Sequence, residues 1–426
     1  MAVDSDIVIV GGGAGGLELA ARLGRRFGAE EGRRRVLLID RSIFHLWKPS
    51  LHEVAAGSLD AHQEGLSYPV LARRNHFSFA LGDLTGLDPE AKTIGLAEIR
   101  DDDGHVLVGP RTIGFRTLVL AIGSGSNLFD TPGAAEYAHL LENAADAEAF
   151  NQRLTSAFLA AAYSDSRTLD IAIVGAGATG VELSTELIEG HDELCAGLSP
   201  EQRFGLTVTI VEAAPRILGG VSERVANKAA RALEAKGVRL LTNAKVNAVH
   251  ADRLDTSQGE VPAKLIVWAA GVKASEHNRS LGLKTGRLNQ FIVDDHLRTS
   301  APGIFAMGDC AEAPGPDGKP VPARAQAAAQ QAAYLARALA DPGRDRGPYV
   351  YRDRGSLVSL GDGKGVGSLM GGLIGPNFLI EGLIAKWAYM ALHLDHHRAI
   401  IGIRRTILLA LSRLLHRRVS GRLKLH

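Results

Sequence analysis

The sequence predicts an α/β chain built on two parallel, doubly wound sheets, with a third module at the C-terminal end, and three observations carry that reading. A strand, a glycine-rich turn and a helix of small and apolar residues occur twice in the same order: Asp6 and IVIV closing on Gly11, then Asp170 and IAIV closing on Gly175. Further strand-like runs at VLLID (36–40), TLVLAIG (117–123), TVTIVE (207–212), LIVWAAG (265–271) and GIFAMGD (303–309) alternate with helical stretches, as parallel sheets require. From about residue 355 the texture changes to glycine-rich strands and then to a long apolar and basic stretch.

The chain has 426 residues, too many for one ordinary core, and the domain-size prior gives about two to four domains. Hydrophobic residues at 46%, charged residues at 22% and 49 glycines make a globular profile and exclude disorder and collagen. The two cysteines, Cys195 and Cys310, form no CxxC or CxxxxC pair, which argues against a disulfide framework or a dithiol redox centre. MAVDSDIVIV runs straight into the first glycine motif without a basic n-region, so we expect a cytoplasmic body.

The first repeat meets the needs of a dinucleotide's pyrophosphate, which sits on backbone N–H groups at a helix N-terminus where glycines leave room for it. Gly11, Gly12, Gly13, Ala14, Gly15 and Gly16 supply that turn, and Asp40, closing VLLID, stands where an acid accepts from ribose hydroxyls. The second repeat has its own set, Gly175, Gly177 and Gly180, followed by Glu212 at the end of TVTIVE. Both halves therefore read as Rossmann-like dinucleotide-binding domains. The interval from Gly180 to Glu212 is longer than the usual ~20 residues, and we expect an inserted loop around 190–205. A carboxylate at 212 repels a 2′-phosphate and favours NADH over NADPH, although Arg216 lies nearby.

Two nucleotide sites could hold two nicotinamides, or one nicotinamide and a flavin that takes its hydride and passes the electrons on to an acceptor. Asp309, in GIFAMGDC, falls at the end of a late strand facing an alanine- and glutamine-rich helix, where two-nucleotide flavoproteins hold the ribityl chain. Lys48 in HLWKPS is a candidate for the flavin phosphate or ring.

Taken together, FHLWKPSLHEVAAGSLD (44–60), IAIVGAGATGVELSTEL (171–187), VWAAGVKA (267–274), IFAMGDCA (304–311), RAQAAAQQ (324–331), GSLVSL (355–360) and the closing RLKLH resemble the bacterial type II, non-proton-pumping NADH:quinone oxidoreductases, over nearly the whole chain. The resemblance implies non-covalent FAD at the first repeat, NADH as substrate at the second and a membrane quinone as acceptor. It matches the AQxAxQQ motif to residues 325–331, implying that Ala325 lies at the flavin and that Gln326 and Gln330 serve the quinone. Glu182 matches an acidic position near the nicotinamide and the quinone path. TLVLAIGS, with Ala121 and Gly123, matches the turn that closes over FAD, and Ala270 and Gly271 match its NADH counterpart.

The expected domains are 1–130 with 290–345 for FAD, 131–289 for NADH, and 346–426 as a β and helical membrane-anchoring module. Residues 398–426 hold eight Arg or Lys and no acid, on a chain of net charge +1. Ile400, Ile401, Ile403, Ile407, Leu408, Leu411, Leu414 and Leu415 interleave with Arg404, Arg405, Arg413, Arg417 and Arg418, which suits a helix lying on an anionic lipid surface. No apolar run reaches the ~18 residues of a membrane span. The expectation is a peripheral enzyme on the cytoplasmic face of the plasma membrane, with a homodimer left open. Nucleic acid is not expected, since no recognition module accompanies the basic tail. No metal is expected either, although His393 and His397 lie four apart. The competing readings are an NADH-responsive sensor and a reductase of a soluble carrier, which has no use for a lipid-binding tail. Sulfide:quinone oxidoreductase would need reactive cysteines.

Overall fold

The computed structural model describes residues 5–316, 318–361, 365–369, 378–381 and 395–419. His393 and the closing RLKLH lie outside these residues.

The run Ile7, Val8, Ile9, Val10 is buried on both faces, the pattern of a central parallel strand. Strand Ser5–Val10 pairs in parallel with Val36–Asp40 on one side and with Arg111–Leu120 on the other. The first sheet continues outward to Ser78–Leu81 and, beyond Arg111–Leu120, to two antiparallel strands, Thr93–Leu96 and Leu84–Asp88. Ile304–Ala306 returns to pair in parallel with Leu118–Leu120, which brings Asp309 into the first sheet's switch point from far along the chain. The second sheet is all parallel, ordered His139–Leu140, Leu265–Trp268, Thr168–Val174, Gly205–Val211, Arg239–Leu241. Each sheet has its own buried cluster, so the repeat seen in sequence is a repeat in space.

No inserted loop separates the second glycine motif from Glu212. The helix Ala178–Gly197 runs for 20 residues and a short 3-10 turn, Pro200–Gln202, follows it. Val181, Leu187 and Ile188 are buried and Leu194 and Cys195 pack against the same core, so apolar spacing carries the helix on through polar composition.

The C-terminal module begins with an antiparallel meander of Gly355–Ser359, Gly365–Leu369 and Phe378–Glu381. Val358 and Leu360 anchor it in the second core. Residues 395–401 are helical, Gly402 takes φ +78°, and the helix Ile403–Val419 follows. This divides the expected lipid-facing stripe. Ile403, Ile407, Leu408 and Leu411 are exposed, but Ile400 is buried and Ile401 packs against the first core, so those two are removed from the lipid-facing set. The left-handed glycine ends the first segment, and Arg25 ties it down by donating to the Ala399 carbonyl at 2.7 Å. No helix among the described residues is long and apolar enough to cross a membrane.

Candidate functional site

At the first cradle Gly11 holds φ +102°, and a Cβ there would collide with the Ala121 carbonyl. Its N–H donates to the Ile39 carbonyl at 2.8 Å, locking the turn to the neighbouring strand. Gly16 rests against the Gly11 carbonyl, so the helix Ala14–Phe27 can start immediately behind the turn. Its N-cap is Gly13, no side chain caps it, and a Cβ on Gly13 would meet nothing within 4 Å. An open space in front of an uncapped helix N-terminus is what a pyrophosphate requires, and the residues present fit the dinucleotide half of FAD. Gly15 admits another neighbour, since a Cβ would lie 2.5 Å from Met307 Cε and 3.2 Å from Ala328 Cβ of the helix Ala325–Ala340. Asp40 accepts from the Gly12 N–H at 2.6 Å and the Ser42 N–H at 2.8 Å; burial raises its pKa, and these two amides oppose the rise.

The second cradle repeats the geometry. Gly175 has φ +103° with a would-be Cβ 2.8 Å from Ala270 Cα, and Gly180 lies against the Gly175 carbonyl. Gly177, again an N-cap without a side-chain partner, opens onto free space. Glu212 accepts from the Ala176 and Ala214 N–H groups, both at 2.8 Å. Gly271, at φ +67°, lies beneath Phe129, whose ring would be 2.5 Å from a Cβ there. Arg216 turns its guanidinium into its own loop, donating to the carbonyls of Val221 and Gly219 at 2.9 and 3.1 Å.

Between the cradles, Lys48 Nζ donates to the Ser124 carbonyl at 2.8 Å, and Ser124 Oγ donates to Asp309 at 3.2 Å. Gly123, at φ +73°, makes the turn that puts Ser124 there. Burial raises the Asp309 pKa, against the pull of Lys48 and Ser124. The sequence reading missed Gln331: it is buried, and its Oε1 accepts from the Gly308 N–H at 2.7 Å, fixing the turn before Asp309. The third glutamine of RAQAAAQQ was the available signal.

Gln326 and Gln330 face a different segment. Gln326 Nε2 donates to the Gly355 carbonyl at 3.0 Å and to Asp353 at 3.2 Å, while its Oε1 accepts from the Arg354 N–H at 3.0 Å. Gln330 donates to the Arg352 carbonyl and accepts from the Arg352 N–H, at 2.9 and 3.1 Å. The two amides therefore clamp the strap 352–355 leading into the C-terminal meander. Ala325 opens their helix, half-buried. Glu182 lies one turn inside its helix, buried, with Oε1 accepting from the Ser359 N–H at 3.0 Å and Oε2 3.6 Å from His52 Nδ1. His52, inside the HLWKPSLHEV segment, was also not singled out from sequence.

Cys310 is fully buried, its thiol pushed up to about 11, and Cys195 is a second free thiol, so no dithiol centre exists.

Comparisons with known proteins agree with this geometry. Residues 5–332 match the family described as pyridine nucleotide-disulphide oxidoreductase. The type II NADH:quinone oxidoreductase of Haemophilus influenzae is 38% identical across 99% of this chain and 100% of that protein. The chain belongs to the type II NADH:quinone oxidoreductases. The Staphylococcus aureus type II NADH:quinone oxidoreductase is 30% identical over 86% of this chain and 90% of its own length. Among solved structures, Plasmodium falciparum NDH2 in complex with NADH shares the fold with a TM-score of 0.83 at 17% identity, covering 98% of this chain and 99% of its own. A ferredoxin reductase from Rhodopseudomonas palustris also shares the fold, at a TM-score of 0.67 and 21% identity over 93% and 97% of the two chains. In this chain the two cradles come without a cysteine pair.

Proposed function

We propose that this chain oxidises NADH at the second cradle and reduces quinone, with FAD held non-covalently by the first. The observation that supports this best is the duplicate cradle: two uncapped helix N-termini, each opened by a glycine and each backed by a carboxylate that grips its own loop. When bound, FAD supplies the two-electron relay between nicotinamide and quinone.

Asp40 and Glu212 retain lone pairs beyond those facing their amides and accept from the ribose hydroxyls. Asp309, steadied by Ser124 and Gln331, would hold the flavin's ribityl chain, with Lys48 at its edge. Gln326 and Gln330 shape the quinone side by fixing the strap 352–355: Gln326 spends both its N–H donors there, whereas Gln330 spends one and keeps the other for a quinone carbonyl. Glu182 and His52 are a buried acid and imidazole able to hold a proton at Oε2 or Nδ1. The two parallel sheets support a division into 1–130 with 290–345 for FAD and 131–289 for NADH, with 346–426 as the anchoring module, although Leu51 and Val54 pack in the second core and Leu281 and Leu283 in the first. The exposed apolar stripe on Ile403–Val419, beside Arg404 and Arg405, suits an anionic lipid surface and a peripheral place on the cytoplasmic face.

Stopped-flow absorbance tests the reading: NADH should bleach a flavin band that a short-chain quinone restores. Purified protein with no flavin band, or a band that NADH leaves unchanged, would overturn it. A sensor would show the bleaching without quinone-dependent turnover.

A further inference from the structure

Between the first cradle and the C-terminal arm runs a buried chain of polar side chains that the reaction does not call for. The Gly12 carbonyl accepts two bonds, one from the Tyr68 hydroxyl at 2.7 Å and one from His45 Nδ1 at 3.0 Å. A carbonyl can only accept, so His45 carries its proton on Nδ1, and its Nε2 presents a lone pair. That lone pair lies 3.0 Å from Nε2 of His396, which must therefore donate. His396 belongs to the docked segment 395–401, stacks on Trp47 with ring centroids 4.1 Å apart, and has Nδ1 4.0 Å from Glu18 Oε2. His45, His396 and Glu18 are all at least 95% shielded from solvent, so none of these bonds competes with water.

We infer that His396 is a positioning residue for FAD: acting through His45, it fixes the Gly12 carbonyl and so aims the Gly13 N–H into the pyrophosphate cradle. The peptide between Gly12 and Gly13 is planar and trans, so its carbonyl and its N–H point in opposite directions, and holding one sets the other. The arm that continues into the exposed helix Ile403–Val419 thereby takes part in holding the cofactor at the opposite end of the chain. This rests on FAD occupying the first cradle.

The test uses full-length protein and reads FAD release by the rise in flavin fluorescence after dilution. His396→Leu is expected to speed release about tenfold, the effect of one buried hydrogen bond. His396→Gln, whose amide N–H can stand in for the imidazole donor, is expected to stay within about twofold of the wild type. Release from His396→Leu at the wild-type rate, or from His396→Gln as fast as from His396→Leu, overturns the inference while leaving the assignment of FAD intact. Wild-type protein that purifies without flavin overturns both. Should the leucine variant fail to fold, nitrogen-15 spectra of the wild-type protein decide the matter. A scalar coupling between the Nε2 atoms of His45 and His396 is expected, and its absence refutes the relay.

Discussion

The two cradles share a backbone and differ in what holds it. In the second, the Ala176 carbonyl accepts from the Leu218 backbone N–H at 2.8 Å, a contact from the loop just beyond Glu212. In the first, the equivalent Gly12 carbonyl is held by side chains, Tyr68 and His45, with the C-terminal arm behind them. The next position differs in the same sense. Gly15 lets the helix Ala325–Ala340 close on the first cradle, whereas Thr179 stands at the matching place in the second. On the proposed assignment, the loop for the resident cofactor is tied into the whole domain, while the loop for the substrate that must leave is supported from its own neighbourhood.

That contrast breaks most sharply at Gly180. In Gly180→Ala the new methyl meets the Gly175 carbonyl, and a strain of roughly 1–3 kcal/mol is expected to raise the KM for NADH about tenfold to a hundredfold with flavin content unchanged. Steady-state kinetics beside the flavin absorbance of the purified protein check it; loss of flavin would show that the cradles are not independent.

A smaller effect, about tenfold on the KM for NADH, is expected from Glu212→Gln, which keeps an acceptor oxygen but loses the charge that strengthens its bonds to amide and ribose. Activity with NADPH should fall less, because the repulsion of a 2′-phosphate goes with the charge. An unchanged ratio of NADH to NADPH activity would mean that Glu212 does not face the ribose.

Tyr68→Phe removes one of two bonds to Gly12 and is expected to speed FAD release about threefold to tenfold, with the KM for NADH unmoved. Burial raises the Tyr68 hydroxyl well above the usual tyrosine range, so it donates at every working pH.

The gentlest prediction concerns acid. Burial first, then His396 and His397, hold the His45 imidazole well below its usual range. The unfolded chain therefore takes up a proton below about pH 6.5 that the folded chain refuses, and stability is expected to decline as pH falls from there. Glu18 acts with the opposite sign, since burial raises its pKa, and Tyr68, Glu64 and His397 also face the site. Thermal melts from pH 7.5 to 5.5 should thus be compared with His45→Asn, which keeps a donor for Gly12 without titrating. Equal slopes would discount His45.

What the sequence made legible follows the same division. Gly11, Gly175, Asp40 and Glu212 could be read because a tight turn and an amide-gripping acid restrict residue choice locally. His45, Tyr68, His52 and Gln331 could not, because their partners are fixed by packing across the chain. Gln326 and Gln330 were legible as a motif, but their grip on residues 352–355 was not. Ile400 and Ile401 match a lipid-facing stripe as well as a protein-facing one, and only the left-handed turn at Gly402 separates the two. Polar composition at 190–205 suggested a loop because the buried stripe beneath it shows only against its core.

Cys310 has a practical consequence. Its thiol is sealed in the core and kept protonated, so Cys195 is the sole remaining target for maleimide chemistry. Replacing Cys195 alone would give a silent background, on which a single cysteine placed along Ile403–Val419 could carry a fluorophore and report whether, and how deeply, each turn of that helix enters a vesicle.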